Sequence, residues 1–162
     1  MAVNLYPWVK NLEGGDPTRL LLPVQAGSTA TIKRGEICKM GENAAGYMAP
    51  VDAANDTTGL AIADQEQKSD DVERMIYFII PKPGDIFEFE MTAARAVAYG
   101  ETFAISTSQK LAYATSNVVF RSGDDSNYPE PEEKSITKRS VSHVRGSFDE
   151  QASYYLELTG NS

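Results

Sequence analysis

The sequence predicts an all-β fold, a small β-barrel or sandwich with an extended N-terminal arm and a long acidic loop near the C-terminus. Three observations carry this. About ten short segments have strand composition and are separated by regular turn signals. A Gly-acid-apolar pattern recurs at Gly35-Glu36-Ile37, Gly84-Asp85-Ile86 and Gly100-Glu101-Thr102-Phe103, where Thr102 takes the first apolar slot; each reads as a tight turn releasing the chain into a strand. Residues 85–91 alternate strictly, with Phe87, Phe89 and Met91 on one face and Glu88 and Glu90 on the other.

The elements follow in order. Residues 1–19 read as an arm, because Pro7, Gly14, Gly15 and Pro17 break any period. Within it lies an apolar-aromatic knot of Leu5, Tyr6, Pro7, Trp8 and Val9. Trp8 either caps the domain's own core or docks on a neighbouring subunit, as an extended peptide adds to a sheet edge. Residues 20–162 form a single β-domain. Leu20 to Gln25 is an edge or bulged strand, since Pro23 cannot donate to a ladder. Strands follow over 28–33, 36–40, 47–51 and 58–64, with a flexible loop at 41–46 and a loop or helical turn at 52–58. Residues 64–74 are polar, a surface helix or hairpin loop with a solvated charged face. Met75 to Ile80 is apolar on both faces and reads as the most buried strand. Pro81-Lys82-Pro83-Gly84 is a turn. Residues 92–99 have the composition of one or two helical turns or of an extended crossover. Strands resume at 102–106, 110–114 and 117–121. Residues 122–139 form an inserted acidic, proline-bearing loop, and the chain closes with strands over 140–146 and 154–159.

The inventory of chemistry is sparse. The net charge is −8 and the basic residues are scattered, which argues against nucleic acid, whose phosphates need clustered Lys and Arg. No apolar run approaches a membrane span of about 20 residues, and the first residues lack the basic and apolar regions of a secretory signal. With one Cys and one His, a zinc site has too few ligands. Cys38, inside a strand, reads as a small buried hydrophobe, and His143 as a surface or interface residue. Asp124, Asp125 and Asn127 hold oxygens but lack the spacing of a calcium loop. Glu88 and Glu90 lie at a separation compatible with glycoside chemistry, yet read as a solvated face. No glycine-rich phosphate loop and no serine elbow is present. The expectation is therefore no catalytic residue, no cofactor and no metal.

The middle of the chain resembles small phage head decoration proteins, also called capsid cement proteins. The resemblance runs through Ala30-Thr31-Ile32-Lys33-Arg34-Gly35-Glu36-Ile37, Ala49-Pro50-Val51-Asp52-Ala53-Ala54, Thr58-Gly59-Leu60-Ala61-Ile62-Ala63 and Val97-Ala98-Tyr99-Gly100-Glu101-Thr102-Phe103. It covers residues 20–121 and leaves out the arm and the segment from Gly123 onward. It implies a compact, non-catalytic β-domain, often trimeric, made in the host cytoplasm and seated outside an icosahedral head. The major capsid protein would be its partner. Leu5, Tyr6, Trp8 and Val9, in the arm that the resemblance does not cover, are the expected capsid or inter-subunit contacts. The competing expectation is a carbohydrate- or receptor-binding β-module on a virion or cell surface, drawing on Tyr128, Tyr154 and Tyr155. A carboxylate hydrolase using Glu88 and Glu90 is a third.

Overall fold

A computed structural model of the protein describes residues 7–24, 32–40, 47–51, 56–67, 74–95, 97–106, 108–123, 137–138 and 142–155. The described elements are strands β1 (Trp8–Asn11), β2 (Arg19–Val24), β3 (Ile37–Lys39), β4 (Ala49–Pro50), β5 (Leu60–Ala63), β6 (Arg74–Ile79), β7 (Asp85–Glu90), β8 (Thr102–Ile105), β9 (Leu111–Tyr113), β10 (Phe120–Ser122), β11 (Thr137–Lys138) and β12 (His143–Phe148), with a 3-10 turn at Glu150–Ala152. The protein is an all-β structure of two antiparallel sheets. One has five strands in the order β2-β6-β5-β3-β4. The other has seven, in the order β1-β7-β12-β10-β8-β9, with β11 against β12.

The two sheets repeat one topology. Strands β2 to β6 form a first unit; β7, β8, β9, β10 and β12 form a second with the same spatial order. The backbone hydrogen bonds coincide as well. Gly35 N–H donates to Ala63 O as Gly100 N–H does to Ser122 O (2.8 and 3.0 Å), and Ala63 N–H donates to Glu36 O as Ser122 N–H does to Glu101 O (2.9 and 2.8 Å). Asp64 N–H meets Tyr77 O where Gly123 N–H meets Arg145 O. Each unit also brings its first and third strands together through one isolated parallel bridge, Val24 to Met48 and Met91 to Leu111. These bonds make the following positions equivalent: Leu21 with Glu88, Tyr77 with Arg145, Ile62 with Arg121, Phe78 with Gly146, and Ile79 with Ser147.

The glycine turns have a common local cause. In Lys82-Pro83-Gly84-Asp85 the Asp85 N–H donates to Lys82 O (3.0 Å), Pro83 fixes φ at the second position, and Gly84 takes φ +91° at the third. That is the type II turn, whose third position excludes most side chains. The Asp85 carboxylate then folds back to accept the Lys82 N–H (3.1 Å). Lys33-Arg34-Gly35-Glu36 repeats both bonds, with Glu36 Oε1 accepting the Lys33 N–H at 2.9 Å. Ala98-Tyr99-Gly100-Glu101 repeats the backbone one and uses its carboxylate on Arg95 instead (3.1 Å). The acid after the glycine is thus a turn clasp in the first two cases, which is why it recurs.

Two apolar clusters fill the structure. One lies inside the first unit and contains Leu22, Val24, Ile32, Cys38, Met48, Ile76, Phe78 and Ile80. The larger one runs from Ile37, Leu60, Ile62 and Ile79 of the first unit into Phe87, Phe89, Phe103, Phe120 and Val144 of the second. It holds the sheets together, and Phe148 meets Phe87, Phe89 and Phe120 edge-on at 5.2–5.8 Å. Each such contact adds about 0.5–1.5 kcal/mol beyond area burial. Gln109 supplies a polar clamp across the same junction. Its side-chain amide accepts the Ile37 N–H (2.7 Å) and donates to Ile37 O (3.0 Å) and Val51 O (2.9 Å), imitating one more strand against β3.

Several expectations change. Part of the arm is a strand: β1 runs antiparallel along β7, because Trp8 and Asn11 both find Asp85. Met75 to Ile80 is buried on one face only; Met75 and Tyr77 are 51% and 45% exposed. Among the described residues no second layer covers the outward positions of β6. Conversely, Glu88 is not solvated. It is 4% exposed and paired with Arg145, its cross-strand neighbour (3.0 Å). Glu90 is half-buried and reaches Lys110 at 3.3 Å. Asp64, assigned to a solvated face, is buried between Arg19 and Arg34. The described part of 92–99 carries no helix and ends in a turn. Residues 137–138, assigned to the acidic loop, pair with β12. Tyr154 follows the 3-10 turn rather than opening a strand, while Ser153 bridges Leu60. Most of the strand expected over 28–33, and residues 41–46, 124–136 and 156–162, lie outside the described residues.

Candidate binding surface

Among the described residues no three His, Cys, Asp or Glu side chains gather as a metal ion requires. His143 sits opposite Glu90 on β12, with Nδ1 3.1 Å from the Ser142 hydroxyl. Cys38 is fully buried, and burial pushes its thiol well above the usual range, with Glu36 adding to the rise. A thiol held neutral and out of solvent is a packing residue and not a nucleophile. No helix among the described residues is long and apolar enough to cross a membrane.

Of the four contacts expected from the sequence, Leu5 and Tyr6 lie outside the described residues. Trp8 and Val9 lie on β1, both half-buried. Trp8 packs against the larger cluster while its Nε1–H donates to Asp85 Oδ1 at 3.1 Å. The Asn11 amide donates to the same oxygen at 2.9 Å and to Pro83 O at 3.2 Å. Asp85 is 1% exposed, so its carboxylate is a buried anchor for the arm. Charge-assisted bonds to a buried carboxylate are worth about 1.5–3 kcal/mol each. Trp8 therefore does cap its own sheet; it is joined to Val9 along one strand and to Asp85 through a hydrogen bond.

A surface absent from the sequence reading lies on the first unit. Strands β2 and β6 pair Leu21 with Tyr77 and Pro23 with Met75. Leu21, Met75 and Tyr77 are 40%, 51% and 45% exposed. Cross-strand partners share a face, so these four side chains make one contiguous apolar patch on a two-stranded platform. β2 is also the last strand of its sheet. Along its outer edge, among the described residues, only Met48 engages it, through the Pro23 carbonyl (2.9 Å). Proline suits such an edge because it has no N–H to leave unpaired. In the second unit the equivalent edge is covered by β1, and the equivalent pairs are Glu88 with Arg145 and Glu90 with His143. The unbroken apolar run of Met75 to Ile80 hid this surface, because an exposed apolar face and a buried one read alike.

No protein-family model, curated protein or solved structure matches the chain.

Proposed function

We propose that this is a structural virion protein that binds the outside of a phage head and stabilises it by contacting the major capsid protein. One observation supports the reading most: the patch of exposed Leu21, Met75 and Tyr77 with half-buried Pro23 on the β2–β6 pair. The second unit has the same backbone there and places charged or titratable side chains on it, so the fold itself does not call for apolar residues at these positions. Exposed, contiguous apolar side chains mark interaction surfaces. Burying each remaining half of a side chain contributes about 1 kcal/mol. Four such residues make a weak single contact, and a lattice of identical sites multiplies weak contacts through local concentration.

In this reading the two units, each with its first and third strands drawn together by a parallel bridge, work as a pair of small barrels. The β2–β6 face meets the capsid protein. Leu5, Tyr6, Val9 and the part of Trp8 left exposed by its own sheet bind between subunits, and three copies gather at three-fold or local three-fold positions. Mass photometry of the purified chain, alone and with empty expanded shells, tests it. Trimer-sized particles and a saturating mass gain on shells support the proposal. A monomer that adds no mass to shells at any concentration overturns it.

A further inference from the structure

The second unit carries a cleft of about 500 Å3. Its floor and walls come from the Pro81–Gly84 turn, from Tyr99, from Arg121 on β10, and from Ser147, Phe148 and Asp149 at the end of β12. The duplicated topology makes these residues informative. The first-unit counterparts of Arg121, Ser122, Ser147 and Phe148 are Ile62, Ala63, Ile79 and Ile80, all at most 1% exposed. The same backbone thus packs dry with aliphatic side chains. In the second unit the positions carry a guanidinium, two hydroxyls and a phenyl ring around an open space.

The lining has a definite chemistry. The Arg121 Nε–H donates to Asp149 Oδ1 at 2.8 Å, with the Asp149 side chain 9% exposed and the Arg121 side chain 52% exposed. Arg121 therefore has its orientation fixed by a sheltered carboxylate while further N–H donors remain on its fork. Lys82 is engaged by Asp85 (3.6 Å) and by the Asp16 carbonyl (3.2 Å). The cleft's two cations are thus each matched by an anion of the same chain, and the exposed Glu150 adds a further carboxylate to the lining, so an anionic ligand would find no unmatched cation there. Tyr99, 57% exposed at the tip of its turn, and half-buried Phe148 offer flat apolar surfaces. A planar donor–acceptor pair suits adjacent hydroxyl groups, and an aromatic ring suits the C–H face of a sugar. The volume falls within the range of small-molecule sites, ~300–1,000 Å3.

We infer that this cleft binds a short uncharged saccharide. The inference is independent of the capsid reading, and its failure leaves that reading intact. The test begins with the full chain on a printed array of neutral and acidic oligosaccharides. Amide shifts of the 15N-labelled chain are then followed during titration with the strongest neutral hit, with an acidic control and with poly-L-proline. The expected result is a neutral hit whose shifts concentrate at Gly84, Tyr99 to Glu101, Arg121, Ser122 and Ser147 to Glu150. Tyr99→Ala and Arg121→Lys should each weaken it at least tenfold. Tyr99 is exposed, so its variant should keep the wild-type melting curve, which separates lost binding from lost fold. Absence of any neutral hit overturns the inference. So do shifts elsewhere, unchanged affinity in Tyr99→Ala, or poly-L-proline moving these amides in place of the sugar.

Discussion

The first and second units share a strand order and a set of backbone hydrogen bonds, and they treat equivalent positions in opposite ways. On the outward face of the leading strand pair, the first unit exposes Leu21 beside Tyr77, and the second buries Glu88 beside Arg145. On the opposite side of the sheet, Phe78 of the first unit stands where the second has Gly146. The difference teaches that the backbone bonds and the turns specify this topology, while the faces are free to diverge. Divergence then marks where each unit does something the topology does not demand.

The largest expected effect breaks the comparison at Gly146. A Cβ there would lie 1.9 Å from Arg121 O and 2.8 Å from the Phe120 ring, so backbone must move. Gly146→Ala should cost about 4 kcal/mol or more, among the severe single substitutions. Chemical denaturation checks it, and a loss under 1 kcal/mol would show that β12 can shift away from β10. Phe78→Ala, at the equivalent first-unit position, should cost about 3–5 kcal/mol for the opposite reason, the cavity it leaves.

Next comes the pair of buried Glu88 and half-buried Arg145. Glu88→Gln should cost about 1.5–3 kcal/mol, because it removes the charge-assisted bond to Arg145. Transplanting the first-unit pair, Glu88→Leu with Arg145→Tyr, should recover most of that loss, since well-packed apolar replacements of buried ion pairs are near neutral. Thermal melts of the single and double variants decide it. A double variant as unstable as the single one would mean that the two faces are not interchangeable.

The smallest effect concerns the turn clasp at Glu36. Burial raises its carboxyl above the ordinary value of 4.5, opposed by the Lys33 amide and charge. The folded state then holds this proton more tightly than the unfolded one does. The resulting stabilisation is complete below about pH 4.5 and fades as pH rises through the folded value. Glu36→Gln, which keeps an oxygen for the Lys33 N–H, should melt slightly higher than wild type at pH 7. The gap should close below pH 4.5. A gap that persists unchanged in acid would contradict the assignment.

What was legible in the sequence was what neighbours in sequence decide. The glycine turns, the strand at Asp85 to Met91 and the buried Cys38 needed only local sterics and period. The pairing of β1 with β7 was not legible, since Trp8 and Asp85 are 77 residues apart and nothing near Trp8 names its partner. The burial of Glu88 was not legible because a charged strand position reads as solvated until its cross-strand partner is known. The repeated topology was hidden by the side chains that differ at matched sites, Ile62 against Arg121 and Ile79 against Ser147. Only the hydrogen bonds align them. The apolar patch and the cleft both follow from that alignment, so neither could be found before it.

The proposed docking of the β2–β6 face on a capsid is tested most directly by placing the second unit's pair on the first. Leu21→Glu with Tyr77→Arg puts a cross-strand ion pair on an exposed face, where such changes shift stability by about 0.5 kcal/mol or less. Occupancy of this variant on expanded shells of the cognate capsid protein, at matched protein concentration, is the measurement. An unchanged melting temperature and at least a tenfold loss of shell binding are expected. Wild-type occupancy by a correctly folded variant would contradict the proposed docking.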